Sequence, residues 1–136
     1  MPMTPLLRSL EFFLARPVLP WAAFSLWACI LFFASGAPPN PNIKMWVPFQ
    51  DKILHFVFFA GGAFALASAL LRRLPAGSRL LFPLAIAIIA ACGALDEYNQ
   101  QFVPGRAGLD PFDWLADLSG AIAGCFLLKS LHARLP

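Results

Sequence analysis

Charge is what this 136-residue sequence has least of: Asp, Glu, Lys and Arg together make up 12% of it, against 60% hydrophobic residues. A soluble domain carries about 25% charged residues, so the composition excludes a disordered chain and an ordinary water-soluble globule. Cysteine is scarce too. Cys29, Cys92 and Cys125 all fall inside apolar runs, and an odd count in such settings argues against a disulfide framework and against a zinc finger. They read as small buried apolar residues. With only two histidines, the chain has no HExxH metal motif. It also lacks a GxSxG nucleophile turn and a glycine-rich phosphate loop. The net charge of +3 does not point to nucleic acid, because the Lys and Arg residues stand between apolar runs and act there as topology signals.

Long apolar segments fill the chain instead. Four of them, at about residues 20–35, 52–71, 80–98 and 112–128, match the length of membrane-crossing helices. Proline ends the first, through Pro38, Pro39 and Pro41. Arg72 and Arg73 stop the second, Arg79 precedes the third and Lys129 follows the fourth. Residues 18–37 are uncharged over 20 positions, longer than the about 7–15 residues of a signal-peptide core. A retained first span is therefore expected, even though Ala34-Ser35-Gly36 has the small residues of a cleavage site. Before it, Leu6, Leu7, Leu10, Phe13 and Leu14 recur at helical spacing, with Arg8, Glu11 and Arg16 largely off that stripe. This predicts a short amphipathic helix on the membrane surface. The expected fold is all-α: a multi-pass transmembrane four-helix bundle over residues 18–136, with an interfacial helix in residues 1–17.

Arg8, Arg16, Arg72, Arg73, Arg79, Lys129 and Arg134 lie on one side of that topology, and Lys44, Lys52 and Arg106 on the other. The positive-inside rule then puts both termini in the cytoplasm. Small residues suggest how the spans pack: Gly120 and Gly124 form a GxxxG pair, and Gly61 with Ala65 a small-xxx-small pair. Packing within the chain is favoured over dimerisation, and the oligomeric state stays open.

Six of the seven acidic residues, Asp51, Asp96, Glu97, Asp110, Asp113 and Asp117, fall at or near the outer face. Asp51 and His55 are four apart and share a helix face, as do Asp96 and Gln100, and Asp113 and Asp117. Glu97 can likewise meet Gln100 or Gln101. Asp117 precedes Lys129 by 12 residues, roughly 18 Å along a helix, so it sits well inside a hydrocarbon slab about 30 Å thick. An aspartate there costs about 2.5–3.5 kcal/mol on insertion scales. It has to face the bundle interior and meet a proton, a cation or a donor such as His55, Lys52 or Arg106. The candidate site is thus an outward-facing polar cavity of Asp51, Lys52, His55, Asp96, Glu97, Gln100, Arg106, Asp110, Asp113 and Asp117. The competing reading makes the same residues structural glue that fixes helix register.

The stretch Asp51-Lys52-Ile53-Leu54-His55-Phe56 resembles the D-K-x-x-H-F motif of the VanZ-like family. Asp96-Glu97-Tyr98-Asn99-Gln100 and Pro104-Gly105-Arg106 resemble its D-E-x-x-Q and P-G-R elements. Asp113, Asp117, Gly120 and Gly124 resemble its closing D-x-x-x-[N/D]-x-x-G-x-x-x-G pattern, with Asp117 where many relatives carry Asn. The resemblance covers residues 51–124 in order. It implies a small multi-pass protein of the bacterial inner membrane, in a family whose named member is associated with low-level resistance to the glycopeptide teicoplanin.

Three functions compete. In the first, the cavity binds a lipid-linked or phosphate-bearing envelope molecule, such as a cell-wall precursor, or a glycopeptide, with Lys52 and Arg106 holding the anionic group. In the second, a membrane-embedded enzyme uses His55 with Asp51, Glu97 or Asp113 as base and orienter. A metal-assisted form would use the same side chains, but a single histidine on that face makes no metal set from sequence, and no cofactor is implied. The third, a transporter, lacks a continuous polar path across the spans. The first is preferred, membrane lipid is the expected partner, and no nucleic acid is.

Overall fold

A computed structural model describes residues 3–40, 42 and 46–136. Pro41 and Lys44, which the sequence reading used, lie outside the described residues. Five helices follow one another: α1 (Pro5–Ala15), α2 (Val18–Ser35), α3 (Gln50–Leu70), α4 (Leu81–Gln100) and α5 (Pro111–His132). The described residues contain no strand.

Local chemistry sets the helix ends. The Thr4 hydroxyl accepts from the Leu7 amide, and Pro5 occupies the first turn of α1, where its missing N–H is harmless. Pro17 holds Arg16 in an extended conformation and separates α1 from α2. Asp110 caps α5 by accepting from the Phe112 amide at 2.8 Å, with Pro111 next. Two spans run past their expected ends. The third continues to Gln100, so all of Asp96–Gln100 is helical, and the fourth continues to His132. Charged residues do not stop a helix whose backbone bonds and neighbours remain favourable; they only move it toward water.

Helices α2 to α5 are each long and apolar enough to cross a membrane, and the chain is a multi-pass membrane protein. Their outer surfaces carry Leu26, Phe32, Phe33, Leu95, Phe126 and Leu127, all exposed. A helix that is apolar on every side suits lipid on one side and protein on the other.

The closest helix pair is α3 with α5. A β-carbon on Gly120 would run into the Phe56 carbonyl oxygen, and one on Gly124 into that of Ala60. The GxxxG pair therefore brings two backbones together within the chain. The expected Gly61–Ala65 pair needs correction. Nothing lies within 4 Å of a β-carbon built on Gly61, because this position points away from the bundle. It is Gly62 that accepts a neighbour, the indole of Trp27. That indole donates to the Phe58 carbonyl at 2.9 Å and stacks on Phe24 and Phe58. Phe59, Ala63, Ala67, Ile89, Ala121 and Leu128 complete the core. Helix α1 docks Leu10 onto this core, and Arg72 donates to the Ala15 carbonyl at 2.8 Å.

Candidate functional site

The alternating helix directions bring the C-terminal ends of α2 and α4 to the same pole as the N-terminal ends of α3 and α5. Six of the seven acidic residues collect there, with Lys52 and His55 from α3.

Lys52 is the hub of the outer layer. Its ammonium lies 2.6 Å from Asp110, 2.7 Å from Asp113 and 3.0 Å from Asp51. Three carboxylates match its three donors, so Lys52 is the counter-ion of the acidic group. The same ammonium, helped by the Phe112 amide, holds the Asp110 carboxyl below the usual carboxylate range. One turn deeper, His55 Nδ1 donates to Asp117 Oδ1 at 2.8 Å, and its Nε2 is 3.9 Å from Asp113. Asp117 is 0% exposed. It fits because α4 has a glycine opposite: a β-carbon on Gly93 would stand 2.6 Å from Asp117 Oδ2.

Helix α4 supplies the third wall. Gln100 donates to Asp96 Oδ2 at 2.7 Å, one turn away as its spacing predicts. Glu97 meets neither Gln100 nor Gln101. Its Oε2 accepts from the Asp110 amide at 2.8 Å, and its backbone carbonyl from Leu109 at 3.2 Å. The loop after α4 thereby folds back over the helix end. Gly108 lies so close to the Gln101 backbone that a β-carbon has no room, and Leu109 takes φ 58, a conformation uncommon for a bulky residue. This return delivers Asp110 to both α5 and Lys52. Arg106, in the same loop, donates to the Ala34 carbonyl at 2.8 Å and the Ala37 carbonyl at 3.0 Å. It ties the loop to the exposed carbonyls ending α2, a partner no side-chain spacing announces, and does not meet the carboxylates as the sequence reading allowed.

Two further contacts escaped the sequence. Asn99 donates to the buried Ser35 hydroxyl at 3.0 Å, and Gly93 makes space for Asp117. An isolated glycine inside an apolar helix is a signal of close approach, although nothing local says what approaches.

Several buried oxygens remain without a hydrogen-bond partner: Asp96 Oδ1, Glu97 Oε1 and Asp117 Oδ2. Asp96, Glu97 and His55 each offer one metal-capable donor atom, and these three atoms lie within 4.8 Å of one another. Beside them a cavity of about 270 Å³ opens between α2 and α3. Its walls are apolar, with Ile30, Leu54, Phe58 and Phe59. His55, Asp96, Gln100 and Arg106 are polar side chains in the same lining. Ile30 and Leu54 are also exposed on the outer surface of the bundle, so the mouth faces the side where lipid would lie.

No family model, curated protein or solved structure matches the chain. The family resemblance therefore rests on the ordered motifs alone.

Proposed function

We propose that this protein is a VanZ-like protein of the bacterial inner membrane, with both termini cytoplasmic, whose outward-facing cavity binds the polar headgroup of a lipid-linked envelope molecule. The observation that carries this reading is the cavity between α2 and α3, whose mostly apolar lining also includes the polar side chains His55, Asp96, Gln100 and Arg106. An amphiphile entering sideways would lay its chain along Ile30 and Leu54 and its headgroup against these polar side chains. A cavity of this kind, mostly apolar with a few convergent polar groups, is the usual form of a small-molecule site.

The electrostatics favour a headgroup rich in hydroxyl or amine donors, such as a sugar, because Asp96 has an oxygen free to accept. A phosphate would find Arg106 alone, since Lys52 is already surrounded by Asp51, Asp110 and Asp113. The test is mass spectrometry of lipid retained by the purified protein, compared with Ala34→Trp, which fills the cavity. A defined envelope lipid that is retained by the wild type and absent from the folded variant supports the reading. Equal retention by both rejects it. The link to glycopeptides has its own assay. Cells expressing the wild type should survive more teicoplanin than cells expressing equally abundant Glu97→Gln or Asp113→Asn.

The His55–Asp117 pair favours a second reading, an enzyme acting on the bound lipid. A carboxylate 2.8 Å from one ring nitrogen fixes the tautomer and orientation of the other, which is the arrangement of a general base and its orienter. Turnover of the retained lipid that stops in His55→Gln would identify it.

A further inference from the structure

We propose that His55, Asp96 and Glu97 bind a divalent transition-metal ion, Zn²⁺ or Mn²⁺, through one imidazole nitrogen and two carboxylate oxygens. The site shares His55 and Asp96 with the cavity but needs no amphiphile in it, so it is tested separately from the headgroup reading.

Geometry comes first. Two neighbouring residues of α4 and one of α3 place donor atoms within 4.8 Å of one another. Zinc sits about 2.0–2.2 Å from such donors, so it bridges atoms up to roughly 4 Å apart, and closing the set needs only small movements.

Unmet bonding is the second observation. Asp96 and Glu97 are 5% and 4% exposed. One oxygen of each is already used: Asp96 Oδ2 accepts from Gln100 and Glu97 Oε2 from the Asp110 amide. The other, Oδ1 or Oε1, is buried with no hydrogen-bond partner. Burying carboxylate oxygens this way is unfavourable unless something positive meets them. Among the described residues no Lys or Arg forms an ion pair with either. Lys52, the nearby ammonium, is held by three other carboxylates.

The histidine is the third. Its Nδ1 lies 2.8 Å from Asp117 Oδ1; an ionised carboxylate can only accept, so facing ionised Asp117 this nitrogen carries the hydrogen and Nε2 keeps a lone pair to give. Metal-binding histidines usually donate their other ring N–H to a carboxylate in this way, which fixes the ring and raises its basicity. An imidazole together with carboxylates selects zinc, manganese or iron over calcium and magnesium, which take oxygen alone. Three protein donors leave coordination positions open. His55 and Asp96 also line the cavity, so an open position can reach an oxygen of whatever occupies it.

The test uses the full, tag-free chain in detergent, stripped of metal by chelation and freed of lipid. Titration calorimetry and elemental analysis with Zn²⁺ and Mn²⁺ should give one ion per chain, with Ca²⁺ bound at least tenfold more weakly. Asp96→Asn and Glu97→Gln should each lose at least tenfold in affinity, while His132→Ala should be unchanged. If the folded wild type takes up neither ion stoichiometrically, or if folded variants keep its affinity, the proposal is overturned. Should those variants not fold, electron paramagnetic resonance of Cu²⁺ bound to His132→Ala decides. Coupling to an imidazole nitrogen is then expected from His55 alone, and its absence rejects the site. Because no amphiphile is present, failure of the lipid experiment leaves this result untouched, and the reverse also holds.

Discussion

The two ends of the α3–α5 interface are built differently. At the outer end the helices meet through Lys52–Asp113 and His55–Asp117, with distances of 2.7 and 2.8 Å. Further in, they meet backbone to backbone at Gly120 and Gly124, and then through Ala63, Ala67, Ala121 and Leu128, each 0% exposed. The inner end is close-packed and, apart from the Ser68 hydroxyl, leaves no buried side-chain oxygen unpartnered. The outer end leaves one oxygen of Asp117 unmet, and the α4 wall beside it leaves one each of Asp96 and Glu97. Polar groups that serve only to fix register are normally satisfied within the fold. The contrast sets an outer end that can still accept hydrogen bonds against an inner end closed by packing.

Substitutions at each end can break that contrast. His55→Ala is expected to have the largest effect. It leaves Asp117 buried beside no donor, and removing one member of a buried pair costs about 3–5 kcal/mol. Equilibrium unfolding in mixed micelles measures it, and a loss below about 1 kcal/mol would mean that Asp117 finds another partner. Gly124→Val comes next. It forces a side chain against the Ala60 carbonyl and should cost about 1–3 kcal/mol or more, as overpacking does. Wild-type stability in that variant would show that α3 and α5 can separate freely.

Trp27→Phe keeps one aromatic ring but removes the donor to the Phe58 carbonyl and part of the buried indole, with an expected loss of about 1–2 kcal/mol in the same assay. Asp110→Asn should be milder and depend on pH. The Lys52 ammonium and the Phe112 amide hold the Asp110 carboxyl below its ordinary value. Its charge therefore stabilises the fold fully above the unfolded value, about 3.9, and that contribution fades as pH falls through the folded value. The wild type should be the more stable at pH 7, with the gap closing in strong acid. A gap that widens on acidification would contradict the ion pair. Gly61→Ala should change stability by less than about 0.5 kcal/mol, since Gly61 faces away from the bundle. A large loss there would place an unseen partner on that face.

Much of this was legible because two periods in the sequence report directly on physics. Apolar length gives the spans, and steps of three and four give shared faces. Asp96 does bond Gln100, and Asp117 does meet His55, one of the donors its depth required. The rest needed the third dimension. Spacing places Gly61 and Ala65 on one stripe, but it is Trp27 from another helix that selects Gly62. Lys52 and Arg106 look alike as basic residues at an acidic face. One is spent on three carboxylates and the other on the carbonyls at the end of α2. Residue type alone did not say which partners each cation would take.

The sequence by itself determined that the chain lies in a membrane, roughly where its spans lie, and that its acidic residues gather at one pole. These follow from the free energy of moving each residue between water and lipid and from local backbone preferences. Only the tertiary structure decided which oxygens are satisfied and which are left over. Hydrogen-bond partners are set by how neighbouring helices and the returning loop approach, over distances that no spacing along one helix encodes.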